Sequence, residues 1–263
     1  MDFIKEAYSN GAANVSWCGK ICEDRESFSK FLTNQVRSRL NDTEGQDEVA
    51  SFLKGLALTG LDKQSLEEVL SMDQPEEKAW VAGEALAEAF LQTFRGVYLP
   101  WNMKRDKRNA NASLPGTDIV GLVEIDGRWR LAFGEVKSSS ELRYPPQVMS
   151  GRKGHMGDQI GGLVTDPRVV EPLLYWLISR IKENPYKDKF KLAIASYFNS
   201  TKKTVSIFGM LVRDTVANEN DLKKLGEELR ENLSSPMICE LIALYLPWSL
   251  EELPFRVQAG DGL

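Results

Sequence analysis

Three side chains near the middle of the sequence have the types and spacing for metal-assisted hydrolysis: Asp118, Glu135 and Lys137. Glu135-Val136-Lys137 falls in a β-rich run, and side chains alternate between the faces of a strand. Glu135 and Lys137 therefore project together, while Val136 points to the opposite side. Leu131, Phe133 and Val136 are apolar, which places this strand inside a sheet. Two carboxylates, Asp118 and Glu135, could hold a hard cation such as Mg2+ and leave coordination positions open. The backbone carbonyl of Val136 is a further oxygen for the same ion. Lys137 would orient an attacking water or neutralise charge on a pentavalent transition state. The chemistry implied is phosphodiester hydrolysis with Mg2+, for which Mn2+ is the natural substitute. A bare Glu-x-Lys triplet is common and usually marks an ion pair, so its neighbours carry the weight.

Those neighbours come in a consistent order. Asp118 follows Pro115-Gly116-Thr117 and opens a strand predicted over 118–124, and a second strand is predicted over 129–138. Asp126-Gly127 between two β-rich runs is a strong hairpin signal. Upstream, Pro75-Glu76-Glu77 suits a helix start, and Trp80, Ala87, Phe90, Leu91 and Phe94 give that helix, 76–94, a packing face. Downstream the pattern predicts helices over about 155–183, interrupted near Pro167, then strands at 190–198 and 204–212 around a 199–203 turn. Helices are predicted at about 219–232 and 236–246. Before Pro75 the reading is helical, with stretches at 24–40, 47–58 and 63–72. The fold class expected is thus α/β, an α+β mixed sheet flanked by helices. A helical region over 1–75 would precede a catalytic domain over 76–263.

Charge is unevenly spread. Residues 1–75 hold 8 basic and 13 acidic side chains, which accounts for the whole net charge of −5, and 76–263 hold 25 of each. An acidic sum therefore does not exclude a nucleic-acid substrate for the second part. The first part reads as a solvated helical surface or as a control element. No run approaches the roughly 20 apolar residues of a membrane span, so no membrane partner is expected. The opening MDFIKEAYSNGAANVSW lacks the basic start and apolar stretch of a signal peptide. Together with three cysteines (Cys18, Cys22 and Cys239), this suggests a cytoplasmic protein with free thiols. Cys18 and Cys22 lack two further candidate ligands for a structural zinc.

The order helix, hairpin with Asp118 and Glu135-Val136-Lys137, then helix resembles the PD-(D/E)xK nuclease superfamily. That resemblance implies a restriction-endonuclease-like core with an N-terminal helical extension. It departs from the pattern in having Gly-Thr between Pro115 and Asp118. In many members the first core helix gives a Glu to the metal. Here the candidate is Glu84, in Gly83-Glu84-Ala85-Leu86-Ala87, with Glu88 one turn along as the alternative. Within the superfamily, these segments together with Gly134 and Ser138 look like the family of HamA, the nuclease subunit of Hachiman antiphage defence. This implies a DNA-degrading effector restrained by a superfamily 2-type helicase partner resembling HamB.

Basic residues flank the motifs. Lys104, Arg105, Lys107 and Arg108 precede Asp118, and Arg152 and Lys153 follow Lys137. Both groups could contact a phosphate backbone, or be ordinary solvated loops. His155, the only histidine, and Gln159 lie just beyond. Tyr98, Trp101 and Tyr144 could stack on bases, although packing is the commoner use of such rings. Nothing in the sequence specifies a base, so cleavage is expected to be sequence-nonspecific. The readings that compete with a defence nuclease are a non-catalytic adaptor that keeps a relic of the fold, and a repair or restriction nuclease.

Overall fold

The computed structural model describes residues 3–12, 14–42, 78–102, 116–150, 153–181 and 185–259, with residues 45, 47, 48 and 51 in addition. A six-stranded mixed sheet is built from β1 (Ile4–Ala12), β2 (Val15–Cys22), β3 (Ile119–Ile125), β4 (Arg128–Ser139), β5 (Val205–Arg213) and β6 (Ile238–Tyr245). Its order is β1-β2-β6-β5-β4-β3. The four central strands run parallel, and an antiparallel hairpin closes each edge. All nine residues of β5 are buried, as expected of a parallel strand covered on both faces.

The helices divide between two faces. On the first lie α1 (Arg25–Phe31) and α2 (Arg37–Asn41), joined by a π-helical segment at Leu32–Val36, with α3 (Ala79–Arg95). They form one core with Ala132, Val136, Met210 and Ile242. On the second lie α4 (Met156–Thr165), α5 (Pro167–Ile181), α6 (Lys187–Asn199) and α7 (Lys223–Asn232). Their core contains Leu131, Phe133, Leu211 and Leu241. A last helix, α8 (Leu253–Gln258), returns to the first face, where Leu253 and Val257 are buried. No helix among the described residues is long and apolar enough to cross a membrane.

The mixed α/β class follows from the sequence, and so does the hairpin that carries the motif. Asp126 and Gly127 take φ of 51° and 71°, the paired positive values that a two-residue hairpin turn demands. The helix expected at 76–94 is α3, ending at Gly96 in the left-handed conformation; its first residues fall outside the described ones.

Three expectations are corrected. Residues 187–199 form helix α6 instead of a strand over 190–198, because Phe190, Ala193 and Tyr197 are the buried set, at helical spacing of three and four. Residues 238–245 form strand β6 instead of a helix over 236–246. This short apolar run lies between Pro236 and Pro247, and periodicity alone does not separate such a run from a buried helix. The N-terminal region is not helical throughout, since β1 and β2 continue the sheet, with β2 parallel to β6 from Val15 to Ile21. The helix read over 24–40 is present as α1 to α2; those at 47–58 and 63–72, and the boundary at Pro75, lie outside the described residues.

Candidate active site

Strand pairing brings the motif residues together. Ile119 is opposite Gly134, so Asp118, just before β3, comes alongside Glu135 on the second face. The approach is fixed by two residues that the sequence reading treated as a departure from pattern. Gly116 has φ of +89°, a backbone setting that favours glycine. Thr117 is buried, and its hydroxyl donates to the Gly134 carbonyl. The Asp118 carboxylate then accepts the Val136 amide at 2.9 Å through Oδ2. Amide and carbonyl of one strand residue point to the same side, so the Val136 carbonyl faces the Asp118 side, beyond the start of β3.

Glu135 is only 1% exposed. Lys137 Nζ donates to its Oε1 at 2.7 Å. Glu135 Oε2 is buried with no hydrogen-bond partner among the described residues, and the Asp118 carboxyl lies close by. Burial first, and the Asp118 charge second, push the Glu135 carboxyl up to about 8; Lys137 pulls it back. Two acids and one ammonium thus share a recess that is buried at Glu135 and half-open at Asp118 and Lys137. When both acids are ionised it holds an excess of one negative charge. A shared proton or a bound cation would relieve that excess. The donor set fits Mg2+, which is held in proteins by one or two carboxylates and keeps several other oxygens.

α4 packs on β5 beside the recess. Gly209 of β5 stands beside Glu135 in register, and a side chain there would strike Ile160 and Met156 of α4 and Leu241 of β6. Gly209 therefore leaves room in this row for the side-chain tips of Leu241, Ile160 and Met156. Sequence reasoning missed both Gly209 and Thr117. The available signal was a glycine inside an otherwise apolar strand, which often marks close approach.

The other sequence candidates are more scattered. Glu84 is half-buried on α3, which packs on the first face of the sheet and meets β4 where Gly83 abuts Ser138 Oγ. Among the described residues no three Asp, Glu, His or Cys side chains gather as a metal-ligating group. The alternative, Glu88, is buried and accepts Arg39 Nε of α2 at 2.7 Å, an ion pair that fastens α3 to α2. Lys153 is exposed in the turn before α4. Lys104, Arg105, Lys107, Arg108 and Arg152 lie outside the described residues.

His155 stands at the N-cap of α4 without a side-chain capping bond, and Gln159 is half-buried one turn along. The three aromatic candidates all have packing roles. Trp101 is buried and donates to the Val120 carbonyl at 2.7 Å, and Tyr98 stacks on Tyr186 at 3.6 Å. Tyr144 lies under the Arg213 guanidinium at 5.5 Å. All three cysteines are free and buried.

No protein-family model matches this chain, and no curated protein matches it either.

Proposed function

We propose that this protein is a metal-dependent nuclease that hydrolyses DNA phosphodiester bonds without base specificity, acting at Asp118, Glu135 and Lys137. The observation that carries the reading is the buried Glu135 carboxyl crowded against the Asp118 carboxyl, its Oε2 without a hydrogen-bond partner among the described residues. Leaving such an atom unmatched costs about 1–3 kcal/mol or more, and a cation ligand would recover it. Bound Mg2+ would polarise the scissile phosphate and lower the pKa of a coordinated water.

The chain's own residues would do the rest. Asp118 and Glu135 supply the charge that holds the ion, with the Val136 carbonyl as third oxygen. The amide of Val136 and the hydroxyl of Thr117 fix Asp118 before substrate arrives. Lys137 is about one-fifth exposed, so its ammonium can turn from Glu135 to a phosphate oxygen when a cation takes over the Glu135 charge. The succession of α3, the β3–β4 hairpin, helices and β5 supports a restriction-endonuclease-like core of the PD-(D/E)xK kind. The motif resemblance extends the proposal to a HamA-like effector of antiphage defence, working with a superfamily 2-type helicase partner. Because β1 and β2 are part of the sheet, a control role for the acidic region would have to rest on its remaining residues.

The test is cleavage of supercoiled plasmid with Mg2+, Mn2+ or EDTA, by wild type and by Glu135→Ala and Lys137→Ala, alone and with a superfamily 2-type helicase added. Cation-dependent nicking by wild type alone supports the reading. Equal degradation by folded variants overturns it. Binding of DNA without cleavage under every condition would favour the adaptor reading.

A further inference from the structure

Four large apolar side chains on α5 and α6 stay exposed: Tyr175, Ile178, Leu192 and Phe198. The two helices run antiparallel. Residues 182–186 join the end of α5 to the start of α6, and Lys202, just past α6, bonds Glu171 of α5 at 2.6 Å. Glu171, Tyr175 and Ile178 are spaced by four and three residues, so they share the side of α5 that faces α6. Phe198 comes one turn before Lys202 on the opposing helix. Side chains between packed helices are normally buried, yet Tyr175, Ile178 and Phe198 are 77%, 44% and 53% exposed. α5 and α6 therefore leave an open apolar groove along their seam, and Leu192 extends it on the outer side of α6.

The groove is basic at its ends. Residues 166–203 hold 8 basic and 4 acidic side chains, a sum of +4 in a chain of net charge −5, so the rest sums to −9. The described acids of this segment are each matched, Asp166 by Arg168, Glu171 by Lys202 and Asp188 by Lys191. The excess therefore falls on other side chains. Lys187 and Lys189 open α6 at one end of the groove, and Lys203 follows it at the other. Charges more than about 8 Å away are screened at physiological salt, so a partner here meets this local excess and not the acidic whole. A second copy of the chain would set lysine against lysine.

We propose that the α5–α6 groove is the docking site for an amphipathic α-helix of a partner protein. Its apolar side chains would lie against Tyr175, Ile178 and Phe198, and its carboxylates against the lysines at both ends. An apolar centre with charge at the rim is the usual anatomy of such an interface. The proposal does not rest on the nuclease reading, and its test contains neither catalytic metal nor DNA.

The probe is a fluorescein-labelled peptide of about 15 residues, enough to run the length of α6, with leucines at i, i+3, i+4 and i+7 and glutamates elsewhere. Its counterparts replace glutamate by lysine, or scramble the order. Anisotropy with the full chain in EDTA should show saturable binding of the glutamate peptide. The lysine peptide should bind about tenfold more weakly or worse, and the scrambled one not at all. Tyr175→Ser with Phe198→Ser should weaken binding about tenfold or more, and so should Lys187→Glu with Lys203→Glu. Leu142→Ser, at an exposed apolar residue elsewhere, should change nothing. No binding by wild type, equal binding of the lysine peptide, or unchanged binding by both double variants would each overturn the proposal. So would binding of the chain to phosphatidylglycerol vesicles in place of the glutamate peptide, which would make this surface a lipid contact.

Discussion

Two clusters of buried charge sit on the same face of the sheet, centred four residues apart along β4, and they are balanced differently. Around Glu135, two carboxylates face one lysine, and one carboxylate oxygen has no partner among the described residues. Around Arg213, one carboxylate faces one guanidinium and a chain of hydroxyls. Asp221 Oδ1 also lacks a hydrogen-bond partner among the described residues, so only the charge count separates the two clusters. Arg213 Nη1 donates to the Ser139 carbonyl and Nη2 to the Arg143 carbonyl, both at 3.2 Å, while Nε lies beside Asp221. Asp221 accepts Tyr245, whose hydroxyl lies 2.9 Å from that of Tyr8. Tyr8 reaches Tyr245 across Gly19, where any side chain would collide with its ring. The second cluster therefore ties β1, β6, β5 and β4 together with charges in balance. The first leaves an electrostatic deficit in a place that a cation could fill. Buried charge alone does not separate a site from a strut; the surplus does.

The largest effect should come from unbalancing the strut. Arg213→Met leaves Asp221 buried without its counter-charge and should cost about 3–5 kcal/mol of stability, measured by urea denaturation. A cost below 1 kcal/mol would mean that the pair contributes little and that the two clusters are not different in kind. Next in size is the cation at the recess. Lys137→Ala should fold normally yet lower cleavage by about 10²–10³-fold, the effect of removing one charge-stabilising donor. Full activity would place Lys137 among ordinary ion pairs.

A smaller effect separates surplus from balance by pH. Glu135 is raised in the folded protein to about 8 from the ordinary glutamate value, so between those two values the folded state binds more protons than the unfolded. In EDTA, stability should therefore fall as pH rises through that window and level off above about 8. Glu135→Gln should flatten that slope and be the more stable protein at the alkaline end, seen by thermal denaturation at several pH values. The smallest effect belongs to the end of the hydroxyl chain. Tyr8→Phe removes one hydrogen bond while Tyr245 keeps Asp221, and should cost about 0.5–1.5 kcal/mol.

The two clusters also differ in how far the sequence reveals them. Asp118, Glu135 and Lys137 were legible because strand alternation and an Asp-Gly turn are local signals, each readable within a few residues. The Arg213–Asp221 pair was not, since an arginine at a strand end looks solvated until the fold buries it completely. Gly209 and Thr117 were hidden for a related reason, because their roles depend on what lies opposite them in space. β1 escaped notice since it is an edge strand, almost wholly exposed, with no apolar alternation to read. α6 and β6 were exchanged for the opposite elements where short apolar runs suit either period. Local pattern thus recovered the hairpin and the grouping of Asp118, Glu135 and Lys137, and long-range packing supplied what holds them.

The central claim is that Asp118 and Glu135 form a divalent-cation site. Its most direct test is calorimetric titration of Mn2+ into the DNA-free protein, comparing wild type with Asp118→Asn and Glu135→Gln. The account predicts saturable binding by wild type and a loss of about tenfold or more in affinity for each variant, with both still folded. Equal Mn2+ binding by all three proteins, or none by wild type, would contradict it.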